Sequence, residues 1–149
     1  MPMSTVENEK ITKTVQSKLN PSADEYEGCA FSNCDFRNAV FSGFTFRDCR
    51  FSECDFTGAK FDSATLDGVE FEGCKLLGMK FSNCGSFLFS VGFEKCLLEL
   101  ADFRKMKLKK TKFLECELKD ADFTGTDLTT ADFSGSSMEG ARFGGTNLE

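Results

Sequence analysis

Residues 101–135 read ADFRKMKLKKTKFLECELKDADFTGTDLTTADFSG, and a large apolar residue recurs in them at every fifth position. These residues are Phe103, Leu108, Phe113, Leu118, Phe123, Leu128 and Phe133. A period of five matches neither the α-helix, with about 3.6 residues per turn, nor the flat β-strand, with about 2.0. It matches a chain that turns a corner every five residues and directs one large and one small side chain inward on each side.

The same period extends over most of the chain and is interrupted once. Before the interruption, 12 central positions run from Tyr26 to Phe81, and after it 13 run from Leu88 to Leu148. The two series are offset by two residues, and the break falls within residues 82–92. A chain with so many tandem copies is expected to form a solenoid, in which each repeat packs only on its neighbours.

The break itself carries a candidate contact surface. If Leu88 is a central, inward residue, its neighbours Phe87 and Phe89 occupy positions that hold polar, outward residues elsewhere. Two adjacent exposed aromatic side chains would form a contact patch for a protein partner. Alternatively, a bulge or bend at Gly85 folds one or both of them into local packing.

All 8 cysteines fall in the small inward position. We interpret them as small buried apolar residues that replace alanine. Stacked neighbours would hold their Cβ atoms about 4.8 Å apart, beyond the usual ~3.5–4.5 Å of a disulfide. The chain also has no histidine and no CxxC spacing, so we expect free thiols, no metal site and no cofactor.

The charge pattern tests how many sides make one coil. If four sides of five residues close a coil, residues 20 apart stack on parallel strands. Among outward charged residues at this spacing within residues 24–81 or within residues 88–149, ten pairs have opposite signs, as in Lys107 and Asp127, and three have like signs, as in Asp102 and Asp122. Since facing pairs contribute roughly 0.2–1 kcal/mol each, this bias favours a 20-residue coil.

The residues also resemble a known family. The segments 121–125 (ADFTG) and 131–135 (ADFSG) are similar to the pentapeptide-repeat consensus A-[D/N]-[L/F]-x-x, and the resemblance covers about residues 24–149. It implies an all-β fold, a right-handed quadrilateral parallel β-helix with four repeats per coil. At this length the β-helix would have about six coils.

Residues 1–23 precede the clear repeats. Ser4 and Glu7 have the spacing of a helix capping box, and Asn20-Pro21 would end a helix. We expect the segment 1–23 either to cap the first coil or to be partly disordered. The domain organisation predicted is therefore this N-terminal segment followed by a β-helix over residues 24–149.

Composition excludes several function classes. The net charge of −6 argues against direct nucleic-acid binding. No apolar run approaches about 18 residues, so we expect no membrane span. The N-terminus lacks the features of a secretory signal, which makes the cytoplasm the expected location. No histidine base, phosphate loop or nucleophile motif is present, so we predict that the chain is not an enzyme and has no catalytic residues.

Two charged regions are further candidates. Residues 104–112 form a basic strip of net +6, with Lys107, Lys109 and Lys110 as candidate contacts; the alternative is a solvated surface. From Phe113 onward the balance is −6. The best candidates for carboxylates that imitate phosphates are Asp102, Asp122, Asp127 and Asp132.

Two functions remain open. The first is a non-catalytic protein–protein interaction or assembly module, which includes association of copies through an open coil end. The second follows from the resemblance, since Qnr-type quinolone-resistance proteins and related toxin-immunity proteins look like a B-form DNA rod. They bind DNA gyrase or topoisomerase IV in place of DNA. The chain departs from them in its short break and its interrupted acidic surface.

Overall fold

The computed structural model describes residues 4–20, 22–85 and 88–149. Its strands all pair in parallel within one sheet that winds around a central core. The predicted fold, a right-handed quadrilateral parallel β-solenoid, is confirmed. The strands are β1 (Ser4–Glu7), β2 (Lys10–Thr12), β3 (Ala23–Glu27), β4 (Ala30–Ser32), β5 (Thr45–Arg47), β6 (Arg50–Ser52), β7 (Thr65–Glu72), β8 (Ser90–Glu94) and β9 (Phe113–Leu114), and short 3-10 helices span Gln16–Lys18 and Phe81–Asn83.

The strand register confirms the 20-residue coil. β4 pairs with β6 so that Phe31 lies opposite Phe51, and β6 pairs with the end of β7 so that Phe51 lies opposite Phe71. In the C-terminal coils the ladder continues as isolated bridges, such as Lys107 opposite Asp127. Residues 20 apart therefore lie on neighbouring layers on both sides of the break.

The core consists of stacked phenylalanine rings. Phe103 stacks on Phe123 with ring centroids 5.1 Å apart and planes 3° apart. Phe113 comes from the opposite side of the solenoid and meets Phe103 edge-on, at 5.5 Å and 85°. Such pairs add about 0.5–1.5 kcal/mol beyond the burial of their area. In the last coil the inward positions are less covered, and Met138 is 37% exposed.

Most corners contain, two positions after a central residue, a residue with positive φ. Glycine occupies many of these positions, for example Gly43 and Gly58, both with φ of 75°. Glycine adopts this conformation without steric cost, and asparagine and aspartate tolerate it better than other residues. Leu100 departs from the pattern, since it has a φ of 61° and is 66% exposed.

The small inward position has a hydrogen-bonding role that the sequence did not indicate. The Cys74 thiol donates to the carbonyl oxygen of Phe51 at 3.3 Å, and Cys96 donates to Phe71 at 3.3 Å. Each acceptor belongs to the central residue on the previous side, one coil earlier. Cysteine therefore supplies a weak donor as well as a small volume. The cysteines are all buried free thiols.

The described residues of the N-terminal segment lie in the solenoid. β1 places Val6 opposite Tyr26, and β2 places Ile11 opposite Phe31. The helix suggested by Ser4 and Glu7 is wrong, because Ser4–Glu7 pairs as a strand with β3. The coil count also differs slightly from the six expected. The division of the chain at residue 23 stays a prediction.

The break is distributed over two places. Asp67 pairs with Ser90, 23 residues later, whereas Val69 pairs with Val91, 22 residues later. Relative to a 20-residue coil, the chain has three extra residues before Ser90. β8 then has no residue that pairs with Gly68, which forms a bulge in β7 with a φ of 68°. At this corner the later coil is therefore one residue shorter than the earlier one. The net shift is the two residues seen in the sequence.

This arrangement corrects the inward assignment at the break. Leu88 was expected to point inward, but it is 44% exposed. Phe89 packs against the core instead, with its ring edge-on to Phe81 at 6.2 Å. The reason is that three inserted residues, not two, precede Ser90, so the inward position moves by one residue.

Candidate functional site

An open cleft of about 800 Å³ lies at the break. We refer to it as the slip cleft. It forms between the turn that precedes β8 and the next coil, where residues 104–107 turn a corner of the solenoid. Its apolar lining includes Leu88, Phe89 and Met106, and its basic lining consists of Arg104, Lys105 and Lys107.

The apolar lining is partly accessible. Leu88 is exposed, whereas Phe89 and Met106 are half-buried. The predicted contact pair Phe87 and Phe89 is therefore only partly placed by the structure. Phe89 lines the slip cleft and contacts the core, whereas Phe87 lies outside the described residues.

The charges around the slip cleft are unevenly paired. Arg104 donates to Asp102 at 2.8 Å and lies 3.9 Å from Asp122. The one acidic lining residue, Asp67, lies 3.9 Å from Arg47. Within the described part of the chain, the ion pairs below 4 Å involve neither Lys105 nor Lys107. Lys105 therefore has no close carboxylate among these pairs, whereas Lys107 faces Asp127 of the next coil and, after the hydrogen bonds from Thr129, contributes to the lowered pKa of that carboxyl.

The basic strip is split by the fold. Lys107 lies in the slip cleft, and its backbone pairs with Asp127 of the next coil. Lys109 and Lys110 are exposed at the following corner and do not line the cleft. The three candidate lysines therefore do not form one site.

The four candidate carboxylates are also distributed. Asp102 and Asp122 pair directly on adjacent coils of one side. Asp127 pairs with Lys107, and Asp132 pairs with Lys112. Because these residues precede central residues of three successive sides, the structure brings together only Asp102 and Asp122.

Each of these aspartates also holds a turn. Asp122 Oδ1 accepts hydrogen bonds from the Thr124 amide at 2.9 Å and from the Thr124 hydroxyl at 2.5 Å. Asp127 accepts the same pair of bonds from Thr129. The hydroxyl hydrogen bonds hold the pKa of both carboxyls below the usual value. The spacing Asp-x-Thr or Asp-x-Ser is the sequence signal from which such turns can be predicted.

The structure contains no assembled metal ligands in residues 4–20, 22–85 and 88–149, where no cluster of three His, Cys, Asp or Glu side chains could hold an ion. The helices of these segments also include none with the length and hydropathy of a membrane span.

Several solved structures are similar to the chain. Full-length QnrB1, described as a plasmid-mediated fluoroquinolone resistance protein, is 17% identical, with 98% of this chain and 94% of that chain covered and a TM-score of 0.48. A trypsin-treated QnrB1 variant is 22% identical over 97% of this chain and 89% of that chain, with a TM-score of 0.47. A pentapeptide repeat protein from the Arabidopsis thaliana thylakoid lumen is 26% identical over 77% of this chain and 68% of that chain, with a TM-score of 0.39. No curated protein matches the sequence.

Two family models match the sequence itself. The model described as a pentapeptide repeat region matches residues 25–103, which is more than half of the chain. The model described as pentapeptide repeats, in 8 copies, matches residues 96–135 and 114–149. Together they cover the periodic part of the solenoid on both sides of the break. The chain belongs to the pentapeptide-repeat family.

Proposed function

We propose that this chain is a non-catalytic protein-binding module of the cytoplasm, with the slip cleft and the adjoining corners as its contact surface. The observation that carries the proposal is the break in the solenoid. There, Leu88 replaces a polar outward residue of a regular coil, the half-buried Phe89 lies beside it, and Lys105 and Lys107 line the same cleft.

The rest of the solenoid supports this role as a scaffold. Stacked rings such as Phe81 on Phe103, at 5.0 Å, hold the layers on both sides of the cleft. A rigid surface loses little conformational entropy on binding, so a few apolar anchors can carry most of the affinity. The described carboxylates lie on flat sides or hold turns, which suits recognition better than proton transfer in a closed pocket.

The proposal is tested by capture followed by direct measurement. Cross-linking in cells and mass spectrometry would identify a partner, which is then purified and titrated against this chain by calorimetry. We expect a saturable complex, with the partner chemically unchanged. Absence of a binary complex with every purified candidate would contradict the proposal.

The resemblance supports one alternative, a DNA mimic that binds a type II topoisomerase and protects it from quinolones or toxins. The specific observation in its favour is the pair Asp102 and Asp122 on adjacent coils, with Asp127 and Asp132 on the next two sides. Their pKa values are lowered, so all four are ionised at neutral pH. Against it, Arg104 neutralises part of the Asp102 and Asp122 pair.

A DNA-supercoiling assay with purified gyrase separates the two functions. A mimic would inhibit the enzyme or relieve quinolone inhibition, and the effect would weaken with salt because it depends on charge. Asp122→Asn keeps the turn acceptor and removes the charge, so it should reduce a mimic's effect without unfolding it. Full supercoiling activity at all protein concentrations would exclude this alternative.

Association between copies is part of the same proposal. Ala131, Phe133 and Phe143 of the last coil are only partly buried, and Met138 is exposed. A second copy would cover these side chains, as would any further chain after residue 149. Sedimentation of the wild type and of Met138→Glu tests this, and identical monomeric behaviour of both would contradict self-association.

A further inference from the structure

We propose that the slip cleft binds an acidic segment of a protein partner that inserts one large apolar side chain. This inference rests on the proposed function and adds the chemistry of the partner. It follows from the combination of an accessible apolar lining and two lysines that form no ion pair below 4 Å with described residues, at one place on a negatively charged molecule.

The apolar part of the cleft suits an anchor residue. Leu88 is 44% exposed, and Phe89 and Met106 offer half-buried surfaces beside it. The cleft volume of about 800 Å³ lies within the range of ~300–1,000 Å³ that is usual for ligand sites. A phenylalanine or leucine of the partner would bury its side chain there, as interface anchors do.

The charges select acidic neighbours for that anchor. Lys105 and Lys107 form no ion pair below 4 Å with any described residue, whereas Asp67 is held by Arg47. Carboxylates that flank the anchor would therefore meet the ammonium group of Lys105 and that of Lys107, which Asp127 of the next coil also faces. A basic segment would be repelled by the same groups, and this repulsion gives specificity.

The surroundings exclude a long polyanion as the preferred ligand. Asp122 and Asp127 lie on the coil that follows the basic corner, and Asp67 lies two coils before that corner. A DNA duplex that reached the lysines would extend over these carboxylates and be repelled by them. A short acidic segment covers less of this surface, and Asp67, the acidic residue that lines the cleft, lies 3.9 Å from Arg47.

Fluorescence anisotropy with defined peptides tests the inference on the full chain. The probe is a labelled synthetic peptide of aspartate and glutamate residues around one phenylalanine. One control peptide replaces the phenylalanine by alanine, and another replaces the acids by lysines. We expect binding of the first peptide alone, and both controls are measured on the unaltered protein.

Charge-reversal variants locate the binding. The double variant Lys105→Glu/Lys107→Glu should weaken probe binding by at least about tenfold, because it opposes the probe with like charge. The matched variant Lys109→Glu/Lys110→Glu has the same net charge outside the cleft and should weaken it by less than about threefold. Equal thermal unfolding of both variants would show that they are folded.

Several results would overturn the inference. The inference fails if the acidic probe does not bind, or if the alanine or lysine control peptide binds as tightly as the probe. It also fails if the two double variants lose the same amount of probe affinity, or if duplex DNA displaces the probe completely. The proposed function fails separately, if no purified partner binds the chain at all. A partner that binds the Lys105→Glu/Lys107→Glu variant as tightly as the wild type overturns only the cleft assignment.

Discussion

The hydroxyl of Thr126 donates a hydrogen bond of 2.7 Å to the carbonyl oxygen of Phe103, one coil earlier. In the coils before the break, cysteine makes the same contact, as Cys49 does with the carbonyl of Tyr26 at 3.3 Å. Where the small inward position holds one of these donors, as at Cys49 and Thr126, its side chain ties the coil to the previous one. Threonine and cysteine are interchangeable there in size and in hydrogen bonding.

Thr126→Val should destabilise the protein by about 1 kcal/mol, because it removes this donor and keeps the side-chain volume. The Phe103 carbonyl would keep only the longer bond from the Met106 amide, at 3.3 Å. Denaturant unfolding measures the change. Thr45→Val is the control, since the Thr45 hydroxyl makes no hydrogen bond in the described part of the chain, and it should stay within about 0.5 kcal/mol. Equal effects would contradict a structural role for the Thr126 bond.

Tyr26→Phe should stabilise the protein. Tyr26 is 1% exposed and stacks on Phe46 at 5.5 Å, and its hydroxyl has no hydrogen-bond partner among the described residues. Removing an unsatisfied buried hydroxyl should gain about 1–3 kcal/mol in the free energy of unfolding. The reverse change Phe46→Tyr, in the same column, should lower it. If Tyr26→Phe proves less stable than the wild type, the hydroxyl is hydrogen-bonded in solution.

Gly58→Ala should cost more stability than Gly43→Ala, although both residues have a φ of 75°. A Cβ at Gly43 would meet no atom within 4 Å, so Gly43→Ala carries only the conformational cost of about 1–2 kcal/mol. A Cβ at Gly58 would collide with Oδ1 of Asn38, one coil earlier, so the Asn38 side chain must move and the added cost is small. Asn38→Gly should therefore abolish the extra cost of Gly58→Ala in thermal unfolding. A cost that persists in the double variant would contradict this packing.

The sequence predicted the period, the inward residues and the 20-residue coil, because each follows from side-chain size repeated many times. It could not place the break correctly. Leu88 and Phe89 are both large and apolar, and a net shift of two residues does not reveal an insertion of three and a loss of one. The pairing of Asp67 with Ser90 in the structure gives the inward position to Phe89 and the outward position to Leu88.

The candidate site was predicted in part. The lysines and aspartates were recognised as outward, but their distribution over different sides depends on the corner geometry. The slip cleft combines residues from three coils, such as Asp67, Phe89 and Lys107, and no local pattern joins them. The sequence did not predict the N-terminal coil because Val6 and Ile11 stand at its central positions, where the next coil has Tyr26 and Phe31.

Stability should fall in acid partly through Asp35. Hydrogen bonds from Arg37 lower the pKa of Asp35 to about 2. Since the unfolded pKa is about 3.9, the ionised pair stabilises fully above about pH 4, and this contribution is lost as the pH falls through about 2. Asp35→Asn keeps a turn acceptor but does not titrate. Its unfolding free energy should decline less steeply with falling pH than that of the wild type, and parallel curves would contradict the pair's role.

Hydrogen exchange of the chain, alone and in complex with its purified partner, tests the central claim most directly. We predict that binding slows exchange of the amides in residues 88–90 and 104–107, which line the slip cleft, and leaves the side that carries Asp132 nearly unchanged. Protection confined to the residues around Asp122 and Asp132, with unaltered exchange at the slip cleft, would contradict the account and favour the DNA-mimic alternative.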